Sequence, residues 1–290
     1  MPQNQNVYIA ALWTAGALIS FMIMAVGGRE AATELNTFQI LFFRSIVGFI
    51  IVSALLSYFG WEQIRTTKLK LHIFRNLAHY VGQYGWFFGI AVIPLAEVFA
   101  IEFTTPIWIA VMAVMFLGEK LTPSKIIAIT LGFAGILIII KPGAEIINYA
   151  SLAVLISAIG YAIAHSMTKH LTAYDSPLCI IFYMIAIQLP ISFFPALDNW
   201  VWPSLYTWFW LVILGSTALS AHYCLAHAFR HADATVVVPM DFMRLPLVTA
   251  VGYLVYNESV DVWLFIGAFV TLCGNMINVR AAKRGEIKNS

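Results

Sequence analysis

Glu102-Phe103 and Asp241-Phe242 lie 139 residues apart, each acid set in an apolar run. The same ungapped offset places Glu119 on Glu258, Gly135 on Gly274, Tyr84 on Tyr223, Phe43 on Phe182 and Gln83 on His222. A long fixed offset of this kind marks an internal repeat. Each copy holds five hydrophobic stretches. Because five is odd, the second copy enters a membrane from the opposite side to the first, and matching residues reach matching depths from opposite faces.

Composition supports a membrane setting. The chain is 61% hydrophobic and 10% charged, with mean hydropathy +0.85, whereas soluble domains carry about 25% charged residues. The 290 residues accommodate about ten spans of roughly 20 residues with short loops. They leave no polar stretch long enough for a separate soluble domain. Cys179, Cys224 and Cys273 are scattered in apolar segments without CxxC spacing, which reads as buried thiols rather than a metal or redox site. No cofactor and no metal are expected. The first hydrophobic stretch lacks a basic lead and a cleavage pattern, so it reads as a retained span.

The expected spans are 7–27, 38–59, 72–93, 95–117, 122–140, 150–169, 177–196, 205–228, 233–256 and 261–280. They are read as helices because they lack the alternation of a barrel strand. With the N-terminus inside, one side collects Arg65, Lys68, Lys70, Arg75, Lys120, Lys125, Lys169, Arg230, Arg280, Lys283, Arg284 and Lys288, and the other only Arg29 and Lys141. That asymmetry predicts both termini in the cytoplasm and opposite orientations for the two halves.

Three stretches carry a resemblance. FLGEKLTPSK (Phe116–Lys125) is followed by LGFAGILIIIKPG (Leu131–Gly143), YNESVDVW (Tyr256–Trp263) precedes Gly274, and VPMDFMRLP spans Val238–Pro246. Together they resemble the drug/metabolite transporter superfamily, in particular its EamA-type members. The last stretch resembles a branch of S-adenosylmethionine and riboflavin uptake proteins. The resemblance implies an all-α integral membrane protein of ten transmembrane helices, built as two inverted five-helix repeats around a central cavity. The repeats are expected at residues 1–143 and 144–290, the second with a short cytoplasmic tail, in an inner membrane. Glu119 and Glu258 close the fourth and ninth spans and read as helix-end anchors.

Glu102 lies seven residues from one end of its span, about 10–12 Å into a hydrocarbon core about 30 Å thick. Asp241 approaches from the other face. An acid at that depth costs about 2.5–3.5 kcal/mol even on the lenient insertion scale, so a cavity, a partner or a proton must offset it. Arg244, three residues on, shares a helical face with Asp241. At the corresponding place Glu102 has Thr105 and no cation within a turn. Glu102 is therefore expected to be protonated unless Arg44 or a histidine reaches it from another helix.

Polar stripes mark further inward faces. His79, Gln83 and Trp86 share one face of the third span. Ser157, Tyr161 and His165 do so on the sixth, while His222 and Tyr223 head two rows on the eighth. A single histidine in such a place is more often a packing residue, but three on three inward-facing helices beside two acids point to a site. Trp86, Trp108, Tyr161 and Tyr223 offer flat surfaces for a planar ring or organic cation. Trp61, Trp200 and Trp202 sit at span ends and read as an interfacial belt.

The function expected from these residues is secondary transport of a small polar, zwitterionic or cationic metabolite by alternating access, an S-adenosylmethionine-like compound first. Riboflavin uptake, or export of aromatic amino acids or drugs, are alternatives on the same fold. An enzyme is not expected: HExxH, paired GxGD aspartates and a GxSxG elbow are all missing. A channel would need more charged rings than two matched acids supply. The expected partners are a small-molecule substrate and membrane lipid, and no nucleic acid. A coupling proton or sodium ion and a homodimer stay open.

Overall fold

The computed structural model describes residues 7–116, 122–140, 148–171, 173–231, 237, 240–259 and 261–289. The helices are α1 (Val7–Ala31), α2 (Thr37–Phe59), α3 (Leu69–Val92), α4 (Leu95–Glu102), α5 (Thr105–Phe116), α6 (Pro123–Ile140), α7 (Tyr149–Leu171), α8 (Pro177–Ala196), α9 (Leu205–His231), α10 (Arg244–Tyr256) and α11 (Val262–Asn289). A short 3-10 turn, Trp61–Ile64, links α2 to α3. No strand occurs among the described residues.

Six stretches are long and apolar enough to cross a membrane, the α4–α5 pair counting as one, and α10 and α11 add shorter apolar runs. Helix α3 has 24 residues and α9 has 27, lengths that also suffice to span at 1.5 Å per residue. The protein is a multi-pass, all-helical membrane protein.

Local chemistry starts several helices. Asn36 caps α2 by accepting from Gln39 N at 3.0 Å, and the Gln39 side chain returns to Asn36 N. Ser176 caps α8 in the same way at Cys179 N, with Pro177 at the first helical position.

Packing pairs α1 with α9, α3 with α7, α2 with α8, α6 with α11, and α4 with α10. In lipid this association rests on close van der Waals fit rather than hydrophobic exclusion, so small residues sit at the seams. A Cβ on Gly160 would come 2.7 Å from Ala78 O, and one on Gly82 equally near the Tyr161 ring. On the other seam, a Cβ on Gly135 would meet Gly267 O at 2.7 Å, and one on Gly274 would meet Ala128 O at 2.8 Å. These last two contacts exchange with each other when residue numbers shift by the repeat offset. The small-residue faces of the fifth and tenth spans therefore meet each other within one chain.

The fourth and ninth spans differ from the expectation of continuous helices. Each is broken at the same place in its repeat, at Phe103-Thr104 and at Phe242-Met243. Proline explains both breaks. Pro106 and Pro246 have no N–H to give the carbonyls of Glu102 and Phe242, four residues earlier. The freed Glu102 carbonyl accepts from Thr105 Oγ1 at 2.6 Å, and Phe103 O accepts from Asn275 Nδ2 of α11 at 3.0 Å. In the second break Phe242 O takes Leu245 N at 3.1 Å. The two breaks face each other: Phe103 and Phe242 stack with centroids 4.1 Å apart and planes 18° apart.

Candidate functional site

The breaks deliver three charges to one point. Arg244, the first residue of α10, bonds Asp241 Oδ2 through Nη2 at 2.6 Å and faces Glu102 Oε1 through Nη1 at 3.5 Å. The expectation that Glu102 lacks a cation is thus corrected. Arg244 reaches it from the other repeat, where the sequence offered only Arg44 or a histidine as a distant partner. Its second oxygen, Oε2, accepts the Trp86 indole N–H at 2.7 Å. Aromatic rings enclose the guanidinium, with Phe21, Phe103 and Phe99 centroids 4.6, 5.0 and 5.5 Å from Cζ. Two carboxylates against one guanidinium leave an excess negative charge, suited to an ammonium, a sulfonium or a proton. Asp241 Oδ1 has no partner among the described residues.

The α3 stripe runs away from this cluster. Gln188 of α8 donates through Nε2 to both Asn76 O, at 3.3 Å, and His79 Nδ1, at 3.1 Å. A backbone carbonyl only accepts, so the amide orientation is fixed and His79 Nδ1 must be the acceptor. Its proton therefore sits on Nε2. Facing His79 are Tyr161, 5.4 Å between ring centroids, and beyond it His165 at 6.1 Å from Tyr161. His222 of α9 meets the edge of Phe21 at 5.8 Å. Helices α7 and α9 make no substantial packing contact, yet both His165 and His222 are exposed. Ser157, by contrast, turns to the α3–α7 seam and donates to Gly82 O.

The site residues expected from sequence therefore divide. Glu102, Asp241, Arg244 and Trp86 form the ion cluster; His79, Tyr161 and His165 form an aromatic row, His222 meets Phe21 beside Arg244, and Gln83 is buried on the α3 face that carries His79. Trp108 instead donates to Thr104 Oγ1 at 3.2 Å and packs its ring on Phe133 of α6 at 5.2 Å. Tyr223 is 59% exposed and sits with Trp13 and His227 on the α1–α9 seam. Sequence reasoning passed over Phe21, Phe99 and Gln188, whose side chains carried no signal, and named Arg44 only as a distant partner for Glu102.

Both ends of the site are tied. At the α1–α2 end Arg29 forms an ion pair with Glu258 Oε1 at 2.9 Å, donates to the Ile93 carbonyl at 2.6 Å and to the Ile90 carbonyl, and covers the Tyr256 ring at 5.2 Å. Glu258 Oε2 meanwhile accepts Leu95 N at 3.0 Å, at the N-terminus of α4. One arginine thus joins the ends of α1, α3, α4 and α10, with Glu258 holding a helix end. Glu119 lies outside the described residues. At the other end His72 Nε2 meets Asp175 Oδ2 at 2.9 Å, which also accepts Thr66 Oγ1 at 2.8 Å. With Cys179 these two residues form the one group among the described residues whose ligand atoms could hold a metal ion, all within 4.8 Å. The direct His72–Asp175 contact already serves as a tie between α3 and the start of α8.

Known proteins match this chain along its length. A model described as the EamA-like transporter family matches twice, at residues 8–141 and 148–280. An S-adenosylmethionine uptake transporter of Rickettsia bellii is 26% identical over 276 residues, 95% of each chain. A riboflavin transporter of Brucella anthropi is 30% identical over 276 residues, covering 91% of this chain and 96% of its own. One solved structure superposes on 96% of this chain and 98% of its own with a TM-score of 0.65 at 17% identity, a likeness of fold.

Proposed function

The chain belongs to the EamA-like transporter family, and from that premise we propose that it is a secondary transporter for a small zwitterionic or cationic metabolite. Its halves, residues 1–143 and 144–290, are inverted repeats that rock about the ion cluster to open it to each side in turn. The observation that carries this reading is the meeting of two broken helices at Phe103 and Phe242, with acids from both repeats converging on Arg244. Helices broken at corresponding positions are how secondary transporters expose ion-binding groups at membrane depth. Glu102 and Asp241 hold a substrate ammonium or sulfonium, or a coupling proton, and Trp86, Phe21 and Tyr161 shape the pocket around it.

An S-adenosylmethionine-like compound is the first substrate in this reading, because its sulfonium and ammonium suit an acidic cluster ringed by aromatics. Riboflavin is next, resting on the relative named for it. The charge asymmetry of the loops supports an inner-membrane setting with both termini cytoplasmic.

Counterflow in proteoliposomes tests the reading. Vesicles preloaded with unlabelled S-adenosylmethionine should accelerate uptake of the labelled compound, saturably, with riboflavin run in parallel. Linear, non-saturable flux would indicate a channel. Absence of exchange with these compounds and with a broad metabolite panel would overturn the proposal.

A further inference from the structure

Arg44 is the second arginine of the membrane interior, and unlike Arg244 it has no bonding partner among the described residues. It is 8% exposed, and among the described residues it makes no hydrogen bond and no ion pair. Its guanidinium lies over the Phe87 ring of α3, 5.4 Å from Cζ. A guanidinium carries five donors and stays charged. Keeping it in a membrane without an acid is costly, and no packing role shown here requires the charge.

From Phe87 a column with further donors runs along α3. Phe87, Gln83 and His79 follow one another at four-residue spacing on α3 and share its inward face. Gln83 is buried and has no partner among the described residues. The tautomer of His79 fixed by Gln188 leaves its Nε2–H without an acceptor. Tyr161 of α7 faces His79 across this column, with ring centroids 5.4 Å apart. The interior therefore has two poles: an acid-rich one at Glu102, Asp241 and Arg244, and a donor-rich one at Arg44, Gln83 and His79.

We propose that Arg44, with Gln83 and His79 Nε2, is the subsite for an anionic group of the substrate, a carboxylate or a phosphate, so that the transported molecule is held at both ends. Arg244 is engaged by two carboxylates and is not free for this task. The inference rests on the transporter reading above and names the second charge that the substrate carries.

The test uses purified full-length protein and matched probes that differ in one group. S-adenosylmethionine and its decarboxylated form share the sulfonium and amine but differ by a carboxylate. Flavin mononucleotide and riboflavin differ by a phosphate. Acetate and inorganic phosphate are the minimal anions. Thermal-shift titration of the wild type should show about ten-fold or greater preference for the acid member of one pair; which pair responds separates carboxylate from phosphate. Arg44→Gln should level that preference, Arg44→Lys should retain part of it, and Arg44→Gln without probe should melt no lower than wild type.

Three results would overturn the inference: preference surviving in Arg44→Gln, no response of the wild type to any acid member or simple anion, or a probe-free loss of stability in Arg44→Gln. Proteoliposome exchange of decarboxylated S-adenosylmethionine and riboflavin keeps the two proposals apart. If these move while no acid preference exists, the Arg44 subsite fails and the transporter reading stands.

Discussion

Replacing Asp241 by Asn should destabilise the protein more than replacing Glu102 by Gln, and the geometry sets the order. At an effective dielectric constant of about 20, charges 2.6 and 3.5 Å apart attract with gross energies of about 6 and 5 kcal/mol. Net values are much smaller, because desolvation offsets most of this and both carboxylates keep 19% of their side-chain surface exposed. Removing one partner of a buried pair costs about 3–5 kcal/mol when the remaining charge is left alone. Here it is never alone, since Arg244 keeps its other acid. The expected losses are about 2–3 kcal/mol for Asp241→Asn, which removes a short charge-assisted bond, and about 1–2 kcal/mol for Glu102→Gln. Arg244→Gln leaves two acids together and should cost about 3–5 kcal/mol. Denaturation of the purified variants in detergent, with both double mutants, yields the coupling energies. If Glu102→Gln cost as much as Asp241→Asn, or if each pair were additive within about 0.5 kcal/mol, the three-charge cluster would not exist as described.

Arg29→Gln strips the tie among α1, α3, α4 and α10 and leaves Glu258 without its cation; it should lower stability by about 2–4 kcal/mol and quicken labelling of a cysteine placed at Glu102. Unchanged labelling would mean that this end is closed by something else. Gly135→Ala forces a Cβ against Gly267 O at 2.7 Å and should cost about 1–3 kcal/mol. Gly27→Ala, whose nearest neighbour would lie at 3.4 Å, should cost less than Gly135→Ala; equal melting temperatures would dissolve the α6–α11 seam. Hydrogen bonds from Thr207 and Ser204 hold the Glu34 carboxyl below its ordinary 4.5. Its contribution to stability should therefore be complete above that value and disappear as pH falls through the lowered one. Melting curves of wild type and Glu34→Gln should differ by a constant amount at neutral pH and converge in acid; a gap that persists in acid would refute the assignment.

Much of the architecture was legible because the repeat is written in single residues. Glu102 with Asp241 and Gly135 with Gly274 each carry the offset, and the apolar runs give the spans. The breaks were also written there, in Pro106 and Pro246, but hydropathy averages over a proline. What stayed hidden was the choice of neighbour. The spacing of His79, Gln83 and Trp86 says that they share a face, and the fold decides that the face meets Tyr161 and Glu102. Trp108 and Tyr223 follow similar spacing, yet their helices are rotated so that the rings meet Phe133 and Trp13. The Glu102–Arg244 contact joins residues 142 positions apart, a relation no local pattern encodes.

Each break carries a clasp three residues wide, and the two clasps differ in strength. In the first repeat the Thr105 hydroxyl holds the Glu102 carbonyl at 2.6 Å; in the second the Arg244 guanidinium holds the Asp241 carboxylate at the same separation. A hydroxyl–carbonyl bond is weaker than a charge-assisted one by about half, so the two halves begin as unequal springs. A cationic ligand on Asp241 competes with Arg244 for it and loosens the stiffer one. In the transport cycle proposed above, loading the site would bring both hinges to similar compliance, so that occupancy itself would trigger the motion.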